Sequence, residues 1–206
     1  MRKFLIGLWL LLPVAAWAYH EGPGQERMAL DATDAKLELA REAAATGDWP
    51  GAITQFEAAI KELPALDTPE RLAASRRIRL SAAKAKLNAS RLVEARDEIK
   101  DLVKEISEDK VAAGDPVQAA LLDEAREAHA NAQYYWTWLM RLEGAPRTEW
   151  EPEVEVARQT YRLLAEEAEV RGESKMAVSL MEDLEATVKL ARLDLEELQG
   201  LPLPSQ

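Results

Sequence analysis

This sequence has no cysteine. That excludes a disulfide framework, a thiol nucleophile and a thiolate metal site. Only two histidines occur, His20 and His129, and they stand far apart. There is no HExxH, no GxSxG, no Walker loop and no paired Glu-x-x-His motif. Alternating runs of Val, Ile and Thr are also missing, so no sheet is expected. Acidic neighbours such as Glu166-Glu167, Glu182-Asp183 and Glu196-Glu197 point about 100° apart on a helix and cannot share a proton as a catalytic dyad does. These absences point away from an enzyme and from any cofactor or metal.

What is present is helix composition. Charged residues make up 31% and hydrophobic ones 48% of the 206 residues, dominated by Ala, Leu, Glu and Arg, the strong helix formers. The first eighteen residues differ from the rest. Arg2 and Lys3 precede the apolar run Phe4–Leu12, and Ala16-Trp17-Ala18 has the small-x-small pattern of a signal-peptide cleavage site. The apolar stretch is short for a membrane span, and without cysteine no lipid anchor can follow. We therefore expect residues 1–18 to be a signal peptide, the mature chain to begin at Tyr19, and the protein to be exported to the periplasm with no integral membrane span. Loss of Arg2 and Lys3 takes the 26 basic residues to 24 against 37 acidic ones, a net charge of −13. Nucleic acid and anionic lipid are disfavoured partners for such a surface. Cleavage after Ala18 puts His20 at position two, which does not suit an amino-terminal copper site.

Residues 19–32 contain Gly22, Pro23 and Gly24 and read as a flexible lead-in. A helical hairpin follows over 33–66. Leu37, Leu39, Ala40, Ala43 and Ala44 give its first helix an apolar stripe, with Asp34 as the expected cap. Gly47 suits a left-handed turn. Asp48 caps the second helix ahead of Pro50. Ala52, Phe56, Ala59, Ile60 and Leu63 form the second stripe, and Pro64 stops it.

These residues resemble the tetratricopeptide repeat, a 34-residue helix–turn–helix with W-x2-L-G-x2-Y, A-x3-F and P positions. Leu39, Ala40 and Gly47 take the first-helix and turn places, and Ala52, Phe56, Ala59 and Pro64 the second-helix places. Lys36 and Ala43 stand where Trp and Tyr usually occur, so the first half is degenerate. The resemblance implies antiparallel hairpins stacked as a short α-solenoid and a scaffold role toward a protein or peptide. Leu37 and Arg41 occupy the places where family members that clamp a peptide carboxylate carry Lys and Asn, so that clamp is not implied.

The rest of the chain repeats the theme at greater length. Thr68-Pro69 opens a helix rich in Arg and Lys, including Arg71, Arg76, Arg77, Arg79, Lys84 and Lys86, which we expect to pair with acidic neighbours. Ser90 is expected to cap a partner carrying Ala95, Ile99 and Leu102. Asp115-Pro116 opens a helix of about 27 residues ended by Gly144. Thr148 and Glu151 have capping-box spacing before a helix with Ala157, Tyr161 and Leu164, which Gly172 ends. Ser174 is the expected cap of a last helix with Ala177, Leu180, Met181, Leu184, Val188, Ala191, Leu195 and Leu198 in its stripe. The organisation is residues 33–112 as shorter hairpins, 113–199 as a longer hairpin with a capping helix, and 200–206 as a tail. About seven helices are expected in an all-α fold.

The aromatic cluster Tyr134-Tyr135-Trp136-Trp138 is the most distinctive local feature. Leu121, Ala125, Ala128, Ala132, Tyr135 and Leu139 define one face of its helix. Tyr134 and Trp138 point away from that face and are neighbours one turn apart. Two readings follow: a layer formed by 174–198 covers them, or they form an exposed partner-binding strip with Arg141. Tyr134, Trp138 and Arg141 are thus the candidate binding residues. A small-molecule pocket between helices, lined by the aromatic cluster, is the alternative to a protein partner.

Overall fold

The structure is a computed structural model that describes residues 24–200 apart from Ala113 and Leu195. The expected signal peptide, His20, the start of the lead-in and the tail at 201–206 lie outside the described residues. The described residues form seven α-helices and no strand: α1 (Gln25–Ala45), α2 (Trp49–Glu62), α3 (Pro69–Asn88), α4 (Leu92–Glu108), α5 (Pro116–Leu142), α6 (Arg147–Arg171) and α7 (Ser174–Arg192), then a 3-10 turn (Glu197–Gly200). No helix among them is long and apolar enough to cross a membrane. The all-α expectation holds, with short connections and with α1 on α2, α4 on α5, α5 on α6 and α6 on α7 packed as hairpins.

Local chemistry explains most helix ends. Asp48 Oδ1 accepts a 3.0 Å bond from the Gly51 amide, and Asp115 Oδ1 one of 3.0 Å from the Val117 amide. Each cap satisfies an amide that has no acceptor within its own helix. Gly51 is required for the first cap, because a Cβ there would lie 2.1 Å from Asp48 Oδ2. Pro64 stops α2 by holding Leu63 extended, at ψ 133°.

Four helices, α1, α3, α5 and α6, end in the same turn. A left-handed residue follows the helix, and the next amide reaches back to a carbonyl five residues earlier: Asp48 to Ala43, Arg91 to Lys86, Ala145 to Met140, Glu173 to Ala168. The left-handed residue is Gly47, Gly144 or Gly172 in three cases and Ser90, with φ 62°, in the fourth. Ser90 therefore ends α3 and does not cap α4, whose N-cap is Arg91 with no side-chain bond.

Other expected caps also move. α1 starts at Gln25, so Gln25–Asp31 is helix instead of flexible lead-in, and Asp34 lies inside the helix. Its buried positions are Thr33 and Ala40, while Leu39 is exposed. The stripe through 33, 36, 37, 40 and 44 keeps helical period, and Leu39 falls off it. Thr148 and Ser174 are inside α6 and α7, whose N-caps are Pro146 and Glu173 without side-chain capping bonds.

The chain divides into two compact units, one through Arg79 and one from Leu80, and the division falls within α3. The second half of α3 contributes to the core that α4 and α5 build. In the first unit α1 packs on α2, and Ala52, Ile53, Phe56 and Ala59 are buried. The second unit has three clusters along its length. Leu80 and Ala83 of α3 meet Ile99, Leu102 and Ile106 of α4 and Leu121, Ala125 and Ala128 of α5. Ala130 of α5, with Ala157, Tyr161, Leu164 and Ala168 of α6, meets Ala177 and Leu180 of α7. Tyr134, Trp150, Val154, Ala186, Leu190 and Leu198 form the third. The sets Ala52/Phe56/Ala59, Ala95/Ile99/Leu102 and Ala157/Tyr161/Leu164 are all buried, and the alanine that opens each lets the neighbouring helix approach closely.

The basic helix α3 is held by carboxylates. Arg71 bonds Asp67 at 2.7 Å and Glu26 at 3.0 Å. Lys84 meets Glu124 at 3.1 Å, and the buried Lys86 meets Glu94 at 2.9 Å and Glu98 at 2.6 Å. Arg76, Arg77 and Arg79 also have interactions of their own.

Candidate functional site

The structure resolves the two readings of the aromatic cluster. Tyr134 is completely buried. Its ring stands edge-on to Tyr135, with centroids 5.8 Å apart and planes at 86°. It lies in the cluster with Trp150 and Val154 of α6 and Ala186 and Leu190 of α7, against which Trp138 also packs. Burial raises the Tyr134 hydroxyl to a pKa of about 12. Of the two readings, the covered one describes this residue: α7, the layer expected over 174–198, lies over it, because α5 is wide enough in apolar surface to meet α4 on one side and α7 on another.

Arg141 is tied to the same core. Its guanidinium donates to the carbonyls of Leu190 and Leu193, the latter at 2.6 Å. It also lies over the Trp150 ring, 4.8 Å from the centroid. Both carbonyls belong to the end of α7, where backbone acceptors lack helical partners and the helix dipole favours a cation. Arg141 is therefore a capping residue for α7. Tyr134, Trp138 and Arg141 are brought together, but as an internal joint.

A polar group lies inside the bundle of α5, α6 and α7. Tyr161 and Thr187 are fully buried and Asp183 nearly so. The pKa of Glu127 is raised, first by burial and also by the charge of Asp183. Tyr161 is raised for the same first reason, with Asp183 and Glu127 adding to it. The Tyr161 hydroxyl has no hydrogen-bond partner, and neither do Thr137 Oγ1 and Gln133 Oε1. A substrate could reach this hydroxyl only if the helices parted. Among the described residues no set of three His, Cys, Asp or Glu side chains is arranged to hold a metal ion.

The accessible candidate is on the other side of α7. Ser174, Ala177, Val178, Met181, Glu182, Leu184, Glu185 and Val188, with Glu169 of α6, line an open groove of about 650 Å³. Val178 is 59% and Met181 49% exposed. The expected stripe of α7 is thus split. Ala177, Leu180, Asp183, Thr187 and Leu190 face the core, while Met181 is turned outward and Leu184 and Val188 are half-buried. Nearly all the lining comes from one helix, so the groove has no second wall to enclose a small molecule as ligand pockets usually do. The signal for it was in the sequence: an apolar arc wider than one packing face needs.

No family model, no curated protein and no solved structure matches this chain.

Proposed function

We propose that this chain is an exported, tetratricopeptide-like helical adaptor that binds another protein or peptide in the cell envelope. The observation that carries the reading is the outward face of α7, where Val178 and Met181 stand exposed beside Leu184 and Val188 with no helix of the second unit, among the described residues, across them. Exposed apolar side chains that adjoin one another, more than those scattered singly, mark interaction sites. The buried sets with matching spacing on α2, α4 and α6 support the repeat-like part of the reading, and the leader-like pattern of residues 1–18 supports export.

The test is photo-crosslinking in the native envelope, with the reactive side chain placed in turn at positions 163, 170, 178 and 181. The chain should fractionate with the envelope and have an intact mass beginning at Tyr19. At least one position should give a defined adduct with a single identified protein. A chain that keeps residues 1–18 in the cytosol, or that yields no adduct at any position, would overturn the proposal.

A further inference from the structure

The groove on α7 has a chemistry that specifies its occupant. Met181, Leu184 and Val188 line it at intervals of three and four residues, beside Ala177, which is itself buried in the core. That is the spacing of a coiled-coil seam, which a second helix fills with side chains at its own a and d positions. The polar lining is acidic: Glu169, Glu182 and Glu185. Glu185 is paired with Lys189 at 2.7 Å. Glu169 and Glu182 are exposed and, among the described residues, take part in no ion pair or side-chain hydrogen bond, although the chain forms such pairs along most of its other helices.

Resting on the adaptor reading, we propose that this groove docks one amphipathic helix of a partner protein, with an apolar stripe at three–four spacing flanked by Lys or Arg. Charge decides among the occupants. A second copy meeting this face by two-fold symmetry would set the acidic rims against each other, in a chain already carrying a net charge of −11. The segment 201–206, Leu-Pro-Leu-Pro-Ser-Gln, has apolar side chains but no cation to meet Glu169 and Glu182. A basic-flanked helix satisfies both the apolar floor and the unpaired carboxylates, and the overall acidic field speeds its approach.

Three synthetic peptides test this by fluorescence anisotropy at low salt: one with Leu at a and d and Lys at e and g, one with Glu at e and g, and one with the Lys composition but scrambled Leu positions. The full chain should bind the first at least ten-fold more tightly than either of the others. Met181→Glu should weaken that binding at least ten-fold, whereas Val170→Glu, on an exposed face of α6, should not change it. Glu169→Lys with Glu182→Lys should reverse the preference between the Lys and Glu peptides. Both positions are exposed, so this variant decides the matter even if Met181→Glu unfolds. Equal affinity for the Lys and Glu peptides, or unchanged binding by Met181→Glu, would overturn the proposal. So would a dimer in sedimentation that Met181→Glu dissociates, since the occupant would then be a second copy. A cellular partner crosslinked only through positions 163 or 170 would leave the adaptor reading standing and remove this groove from it. Selective peptide binding without any envelope adduct would do the reverse.

Discussion

Arg141 on α5 and Leu193 after α7, 52 residues apart in sequence, are joined by a 2.6 Å hydrogen bond from Nη2 to the backbone carbonyl. The same guanidinium serves Leu190 and stacks on Trp150. Burial lowers its pKa, yet a guanidinium stays charged at any ordinary pH. Arg141→Ala leaves two backbone acceptors and one ring face unserved. It should cost about 2–4 kcal/mol in urea unfolding: two hydrogen bonds to a charged group at roughly 1.5–3 kcal/mol each, reduced because the guanidinium is only partly buried. Arg141→Lys should recover less than half of that, because an ammonium cannot fork between two carbonyls while stacking. A change below about 0.5 kcal/mol for the alanine variant would show that the joint carries no load.

Tyr161 has the opposite status, a fully buried hydroxyl with no partner. The ring fills the space between α6 and α7, while the oxygen gives up hydration for nothing in return. Tyr161→Phe should therefore be neutral or stabilising by up to about 1 kcal/mol, whereas Tyr161→Ala should cost roughly 3–5 kcal/mol through the cavity. A phenylalanine variant destabilised by more than about 1 kcal/mol would reveal a hydrogen bond that the hydroxyl makes in solution.

His129 makes stability depend on pH. Burial, then Lys100 and Arg96 of α4, push its pKa from 6.5 down to about 4, with Asp97 opposing. The folded chain keeps the imidazole neutral where the unfolded chain protonates it. The unfolded state thus binds more protons between pH 6.5 and 4, and stability falls as pH falls through that window. The loss between pH 7 and pH 5 should be about 2 kcal/mol from this residue. Glu127, whose pKa is raised, acts in the other direction. His129→Gln should flatten the profile between pH 7 and 5 relative to the natural chain. Parallel profiles would mean the imidazole is hydrated.

Ser90 is the only non-glycine residue among the described ones with positive φ. A Cβ in the left-handed region costs roughly 1–2 kcal/mol. Glycine escapes that cost but adds freedom to the unfolded chain. Ser90→Gly should raise the urea midpoint by the equivalent of up to about 1 kcal/mol, and Ser90→Val should lower it by more than that. If glycine lowers the midpoint, the Ser90 side chain contributes more than its strain costs.

Much of the helix layout was legible in the sequence because helix ends are set by contacts three to five residues apart. Asp48 with Gly51, Asp115 with Pro116, and the glycines at 47, 144 and 172 act within that range. The cap assignments that failed, Ser90, Thr148 and Ser174, failed for a shared reason. A serine or threonine near a boundary suits an N-cap, but another residue holds that place once the preceding turn is set: Arg91 after the left-handed Ser90, Pro146 before Arg147, and Glu173 after Gly172. The candidate site was less legible. Tyr134 and Arg141 looked outward when judged against the face of α5 that meets α4. That face is only one of two, since α5 also carries α6 and α7.

The sequence by itself determined the helices and most of their ends, the all-α class, the lack of thiol chemistry and the excess of negative charge. All of these depend on composition or on neighbours along the chain. Tertiary structure decided which way each wide apolar arc faces. On α5 it turned Tyr134 inward and set Arg141 on the last carbonyls of α7. On α7 it used one half of the arc for the core and left Val178 and Met181 outside. A single helix with apolar residues around more than half its circumference has no intrinsic inside. The direction is chosen by which partner helices arrive, and their positions are not encoded in the helix itself.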